Sequence, residues 1–123
     1  MSSNKLTGTI PSTVSALSQL QSFWIELNDF VGPLFPQISC CTNLITLQAH
    51  NAPITGTIPS DIAVKYPKLQ VLNLKDTSIT GTVPPEIYML TNLKELLIQS
   101  QGLEGLIMTE LGNLSNLGKC VNL

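Results

Sequence analysis

The chain has 123 residues, of which 43% are hydrophobic and only 11% charged, with six lysines, no arginine and a formal net charge of −2. That is material for one domain, too apolar and too poor in charge to stay disordered. The absence of a basic face argues against nucleic acid as a partner, and no run of about eighteen apolar residues offers a membrane span.

In chain order, the N-terminal stretch MSSNKLTGTIPS lacks the apolar core of a secretory leader, so any leader would lie outside the chain. Its second half, Thr7-Gly8-Thr9-Ile10-Pro11, returns as Thr55-Gly56-Thr57-Ile58-Pro59 and as Thr80-Gly81-Thr82-Val83-Pro84. Glycines 8, 32, 56, 81 and 105 are 24, 24, 25 and 24 residues apart. Leu20, Leu44, Leu69, Leu93 and Leu117 step by 24, 25, 24 and 24, with the extra residue in the same repeat. Two residue types that keep one beat define a repeat protein. The units are a partial repeat 1–19, repeats 20–43, 44–68, 69–92 and 93–116, and a partial repeat 117–123. The insertion is expected on a loop at VKYP, residues 64–67.

Within the fullest copy, residues 69–92, Leu69, Leu72 and Leu74 predict a short strand with alternate side chains inward. Strands one repeat apart would stack about 4.8 Å from each other as a parallel sheet. Gly81 and Pro84 mark a change of direction, because glycine accepts backbone angles other residues resist and proline cannot donate to a ladder. PPEIYMLTN then predicts a short helical turn that packs Ile87 and Leu90 inward.

The pattern L-x-x-L-x-L, a polar residue, then L-x-G-x-I-P resembles the leucine-rich repeat of the plant extracellular type, over essentially the whole chain. That resemblance implies an α/β solenoid: a right-handed superhelix with a parallel sheet of short strands on its concave face and helical or 3-10 turns on its convex face. The family places asparagine before the L-x-G segment, whereas the equivalents here are Asn4, Asn28, Ala52, Thr77 and Gln101. Asn51 is a candidate to stand in for Ala52. Phe35 and Met108 occupy the place of the signature proline. The chain begins inside one repeat and ends inside another, with Cys120, Val121 and Leu123 leaving an apolar edge. A fragment without caps is expected, or an intact protein that shields its ends by self-association.

Residues between the core leucines should face the concave side. Candidate ligand-binding residues are Trp24, Glu26, Gln48, His50, Asn73, Lys75, Leu97 and Gln99, a set holding the only tryptophan and the only histidine. Tryptophan is enriched in binding hot spots, and solenoids bind partners on concave surfaces; packing of Trp24 over Phe23 or Leu27 is the structural alternative. Glu26 and His50 should come within reach of each other on adjacent strands. An open face without an activated nucleophile or oxyanion hole points away from catalysis. One histidine and scattered cysteines give no zinc spacing, and no cofactor is expected. Cys40 and Cys41 are too strained a pair for a bridge; Cys41 and Cys120 read as small core residues. Asn113-Leu114-Ser115 is a glycosylation sequon, which matters only in the secretory pathway.

Thr7 and Thr9, Thr55 and Thr57, and Thr80 and Thr82 would stack in register, a pattern that suits ice binding. Val31-Gly32-Pro33 and Glu104-Gly105-Leu106 interrupt the row, and β-branched residues suit a short second strand anyway. The reading from sequence is a non-catalytic module that recognises a protein or peptide. The resemblance implies a place in an extracellular receptor-like protein or kinase. Alternatives are a secreted inhibitor of a cell-wall-degrading enzyme, similar to the polygalacturonase inhibitors, an ice-binding protein and a structural remnant.

Overall fold

The computed structural model describes residues 4–105 and 109–121. Leu106, Met108 and Leu123 lie outside that range, and so do the side chains of Cys120 and Val121; the expected apolar edge and the Met108 position thus fall outside the described residues. Among the described residues are ten short strands, and two of them lie between each helical turn and the next. The strands are β1 (Thr7–Thr9), β2 (Ser22–Trp24), β3 (Asp29–Pro33), β4 (Thr46–Gln48), β5 (Ile54–Thr55), β6 (Val71–Asn73), β7 (Thr80–Thr82), β8 (Glu95–Leu97), β9 (Gly102–Glu104) and β10 (Lys119–Val121).

The even-numbered strands β2, β4, β6, β8 and β10 form one five-stranded parallel sheet, ordered as in the sequence. Each central residue, Phe23, Leu47, Leu72 and Leu96, pairs with its equivalent one repeat on and is buried. The residues on either side of them point to the open face. Ile25, Ala49, Leu74 and Ile98 continue the buried row, so the inner wall of the core is a stack of aliphatic layers. Burying each leucine, isoleucine or phenylalanine of this wall stabilises the fold by about 1.5–3 kcal/mol before the entropy of ordering it is subtracted.

A second set of parallel ladders, β1-β3-β5 and β7-β9, runs through the threonine-glycine segments. Its register is not the one expected. Thr7 pairs with Asp29, Thr9 with Val31 and Thr82 with Glu104, two residues short of the full repeat. Equivalent threonines therefore lie obliquely to the hydrogen-bonding direction instead of directly side by side. Gly8, Gly32 and Gly81 sit inside their strands, not before them. Gly81 has φ of 86°, and a Cβ there would stand 3.2 Å from the Thr57 Cγ2 methyl. Gly32 meets Thr9 in the same way, its Cβ position 3.4 Å from Cγ2. Threonine and glycine recur together because the methyl of one rung needs the space left by the next.

The outer side is made of 3-10 turns at Ser12–Ala16, Phe35–Ile38, Pro85–Met89 and Thr109–Asn113, and of one α-helical turn, α1 (Ile62–Lys65). Ile87 and Leu90 pack inward as expected, and Tyr88 joins them. The inserted residue is not on a loop. It widens a 3-10 turn into α1, where Lys65 and Tyr66 donate backbone bonds to Asp61 and Ile62, four residues back. Tyr66 of the VKYP segment is buried, its Oη donating to the Ile38 carbonyl at 3.3 Å and its ring 6.3 Å from that of Phe35. Phe35, in place of proline, is thus a core contact. Burial raises the Tyr66 hydroxyl well above its ordinary range, with Cys41 and Asp61 adding to the effect. Cys41 is buried as expected and its thiol is likewise raised, by burial and then by Cys40; both cysteines are free.

Asn28 in the inner row does what the repeat pattern asks. Buried, it accepts the Leu6 N–H on Oδ1 and donates Nδ2 to the Ile25 and Glu26 carbonyls. Asn51 does not stand in for Ala52: it is exposed with φ of 53°, while Ala52 is buried. Thr77 occupies the next place, and its hydroxyl donates to the Leu74 carbonyl at 2.8 Å. A second row of asparagines went unnoticed in the sequence. Asn43, Asn92 and Asn116, each just before a repeat leucine, donate to the Ser18, Pro67 and Thr91 carbonyls of the preceding repeat at 2.8–3.0 Å. Lys68 holds the corresponding place in the inserted repeat and donates to Asn43 Oδ1 at 2.6 Å.

Candidate functional site

The open face of the five-stranded sheet brings together seven of the eight candidate residues as exposed or half-buried side chains. Trp24, Gln48, Asn73 and Leu97 are direct register neighbours across β2, β4, β6 and β8. Glu26, His50, Lys75 and Gln99 follow two residues later. Their row is held by backbone bonds from Leu27 N–H to His50, Asn51 N–H to Lys75 and Asp76 N–H to Gln99. Trp24 is 50% exposed, because strand alternation sends its neighbours Phe23 and Ile25 into the core.

Asn73 departs from expectation, being only 7% exposed. Its Oδ1 accepts the Lys75 N–H two residues on, the local turn that asparagine favours. Nδ2 faces His50 Nδ1 at 3.1 Å. With Oδ1 fixed by the Lys75 amide, Nδ2 is the donor and His50 Nδ1 the acceptor, which leaves the imidazole proton on Nε2. Asn73 thus positions His50 instead of presenting itself to a ligand. His50 is engaged there, and the expected Glu26–His50 pair does not form. Lys75 Nζ stands 3.8 Å from Asp76 Oδ2, with both side chains about half exposed, so the pair adds little stability.

Two acceptors at the Trp24 end lack partners. Glu26 Oε2 and Gln48 Oε1 are shielded from solvent and make no hydrogen bond. A third such atom, Glu86 Oε2, belongs to the outer 3-10 turn, away from this face. Beside Trp24, Leu27 is 46% exposed and held at φ of 55°, a region that a leucine resists. Leu27 is not among the eight candidate binding residues. A signal existed: its equivalents are Asn51 and Asp76, the residue types that tolerate a left-handed backbone, and both adopt it.

Asn113 is exposed at the end of the Thr109–Asn113 turn. Among the described residues, no cluster of three histidines, cysteines or carboxylates could hold a metal, and no helix is long and apolar enough to cross a membrane.

Comparison with known proteins agrees with this architecture. The Leucine Rich Repeat family model matches residues 68–90. The receptor-like kinase TMK4 of Arabidopsis thaliana is 32% identical over 101 residues, covering 81% of this chain and 11% of the kinase. The chain spans about a tenth of the length of the curated relatives it matches. Among solved structures, the ectodomain of the Arabidopsis receptor kinase GASSHO1/SCHENGEN3, in complex with CASPARIAN STRIP INTEGRITY FACTOR 2, superimposes with a TM-score of 0.81 at 35% identity, covering 93% of this chain and 14% of that one. The Arabidopsis receptor kinase HAESA, in complex with the peptide hormone IDA and the co-receptor SERK1, gives 0.83 at 27% identity, covering 92% and 19%. A plant ice-binding protein gives 0.82 at 29% identity, covering 93% and 37%.

Proposed function

Because the chain is a leucine-rich-repeat protein of the plant extracellular type, we propose that it is a non-catalytic recognition module that binds a protein or peptide on its concave face. The observation that carries this reading is the half-exposed indole of Trp24 on a row of polar and aliphatic neighbours. A large aromatic on an open sheet offers much contact area at little entropic cost, and such residues dominate binding energy. Ligand complexes of GASSHO1/SCHENGEN3 and HAESA support the class of partner, and a receptor-like protein is the setting they favour. The binding residues proposed are Trp24, Glu26, Gln48, Lys75, Leu97 and Gln99, with His50 oriented by Asn73.

The test is capture of phage-displayed random dodecapeptides by the immobilised chain. Trp24→Ala should lose most of the captured clones while its circular dichroism stays that of the wild type. Equal capture by the two proteins would remove the concave face from consideration.

The likeness to a plant ice-binding protein favours a second reading, ice recognition by the exposed threonines of β1 and β7. Asp29, Val31 and Glu104 stand directly beside those threonines in the ladder and break the flat repeating array that reading needs. Inhibition of a wall-degrading enzyme is a variant of the first reading, with a protein instead of a peptide on the same face.

A further inference from the structure

We infer that the corner formed by Trp24, Glu26 and Gln48 takes the cationic side chain, lysine or arginine, of a peptide ligand; this rests on the recognition reading above and names the chemistry of its partner. Trp24 and Gln48 are register neighbours on β2 and β4, and Ile25 N–H bonds the Gln48 carbonyl at 2.9 Å, so Glu26 follows directly at the edge of the same pair. Two oxygens here, Glu26 Oε2 and Gln48 Oε1, are buried without a donor. Buried acceptors are nearly always satisfied in folded proteins, and leaving one unpaired is destabilising. Two of them beside one exposed indole describe a place prepared for a donor that the chain does not supply.

No donor of the chain serves either oxygen as the side chains stand. His50 Nδ1 accepts from Asn73, and Lys75 leans toward Asp76. The chain has no arginine. A group with several N–H donors and no acceptor of its own would serve both oxygens at once. It must also tolerate a carboxylate on one side and the face of an indole on the other. Ammonium and guanidinium groups meet these conditions: they form charge-assisted bonds to carboxylates and are attracted to the tryptophan ring. The exposed side chain of Leu27 next to this corner offers apolar surface for the aliphatic stem of either residue. Charge on the face points the same way, with Glu26, Asp76 and Glu95 against Lys75.

The experiment pans random dodecapeptides on the wild-type chain, Trp24→Ala, Glu26→Gln and Glu26→Asp. Affinities of the leading synthetic peptides are then read from the fluorescence of Trp24, the only tryptophan present. Peptides captured by the wild type should be several-fold enriched in lysine or arginine at one position. Glu26→Gln should bind them about tenfold more weakly, the scale of one charge-assisted hydrogen bond. Glu26→Asp should keep the preference for a basic residue, and the melting temperature of Glu26→Gln should be unchanged or higher, as befits a group kept for binding. Trp24-dependent capture of peptides without basic enrichment, or an unchanged affinity in Glu26→Gln, overturns the inference and leaves the recognition reading intact. No Trp24-dependent capture at all overturns both.

Discussion

Two rows of polar side chains stitch the repeats together, one inside the solenoid and one outside. The inner row is irregular: Asn28, then Ala52, then Thr77, then Gln101. The outer row is nearly regular, with Asn43, Asn92 and Asn116 reaching back to the preceding repeat and Lys68 the one exception. Regularity does not measure energetic weight. Outer asparagines sit near water, which would replace any bond they lost. Inner groups have no such reserve, so each change of residue there must be matched by other means. At Ala52 the match is to remove the polar group altogether and bury a methyl. Around Thr77 it is division of labour. The threonine serves the Leu74 carbonyl, and the Ser100 hydroxyl shares its proton between the Thr77 and Ile79 carbonyls.

The largest expected effect is at Asn28. Its replacement by alanine strands the Leu6 amide and the Ile25 and Glu26 carbonyls, and should cost about 2–3 kcal/mol in urea denaturation. Thr77→Val keeps the shape and removes one donor from one carbonyl, and should cost about 1 kcal/mol by the same measurement. Asn92→Ala, on the exposed row, should stay within about 0.5 kcal/mol of the wild type. A loss at Asn92 as large as that at Asn28 would mean that the outer row bears the structure and that burial has been given too much importance.

Much of this organisation was legible in the sequence, because a strict period ties every repeat to its neighbours. Two independent beats located the strands, the inward leucines and the face around Trp24. What escaped has a common cause: it depends on contacts between residues of different repeats, which no period reports. The burial of Asn73 follows from His50 one strand away and from its own turn to Lys75. The oblique register of the threonine ladder follows from the tilt of one strand against the next, which residue spacing along the chain does not carry. The insertion at VKYP looked like loop because it lacks a repeat equivalent. Yet Tyr66 can be buried only if the extra residue enters a helical turn that carries its ring toward Phe35 and Ile38. For the candidate site, sequence alternation was enough to expose Trp24, while the unpaired oxygens of Glu26 and Gln48 became visible only in three dimensions.

The contact between Thr57 and Gly81 bears on how such a solenoid can change length. One residue is a projection and the other the recess that receives it, and they stand at the two ends of the segment 57–81. Since Gly56 precedes Thr57 and Thr82 follows Gly81, a second copy of that segment inserted after Gly81 would restore the same sequence at both seams. Each new projection would find a recess already in place. The joint that keeps adjacent rungs in close contact is thus also the place where the molecule can be extended by duplication, gaining concave surface one strand at a time.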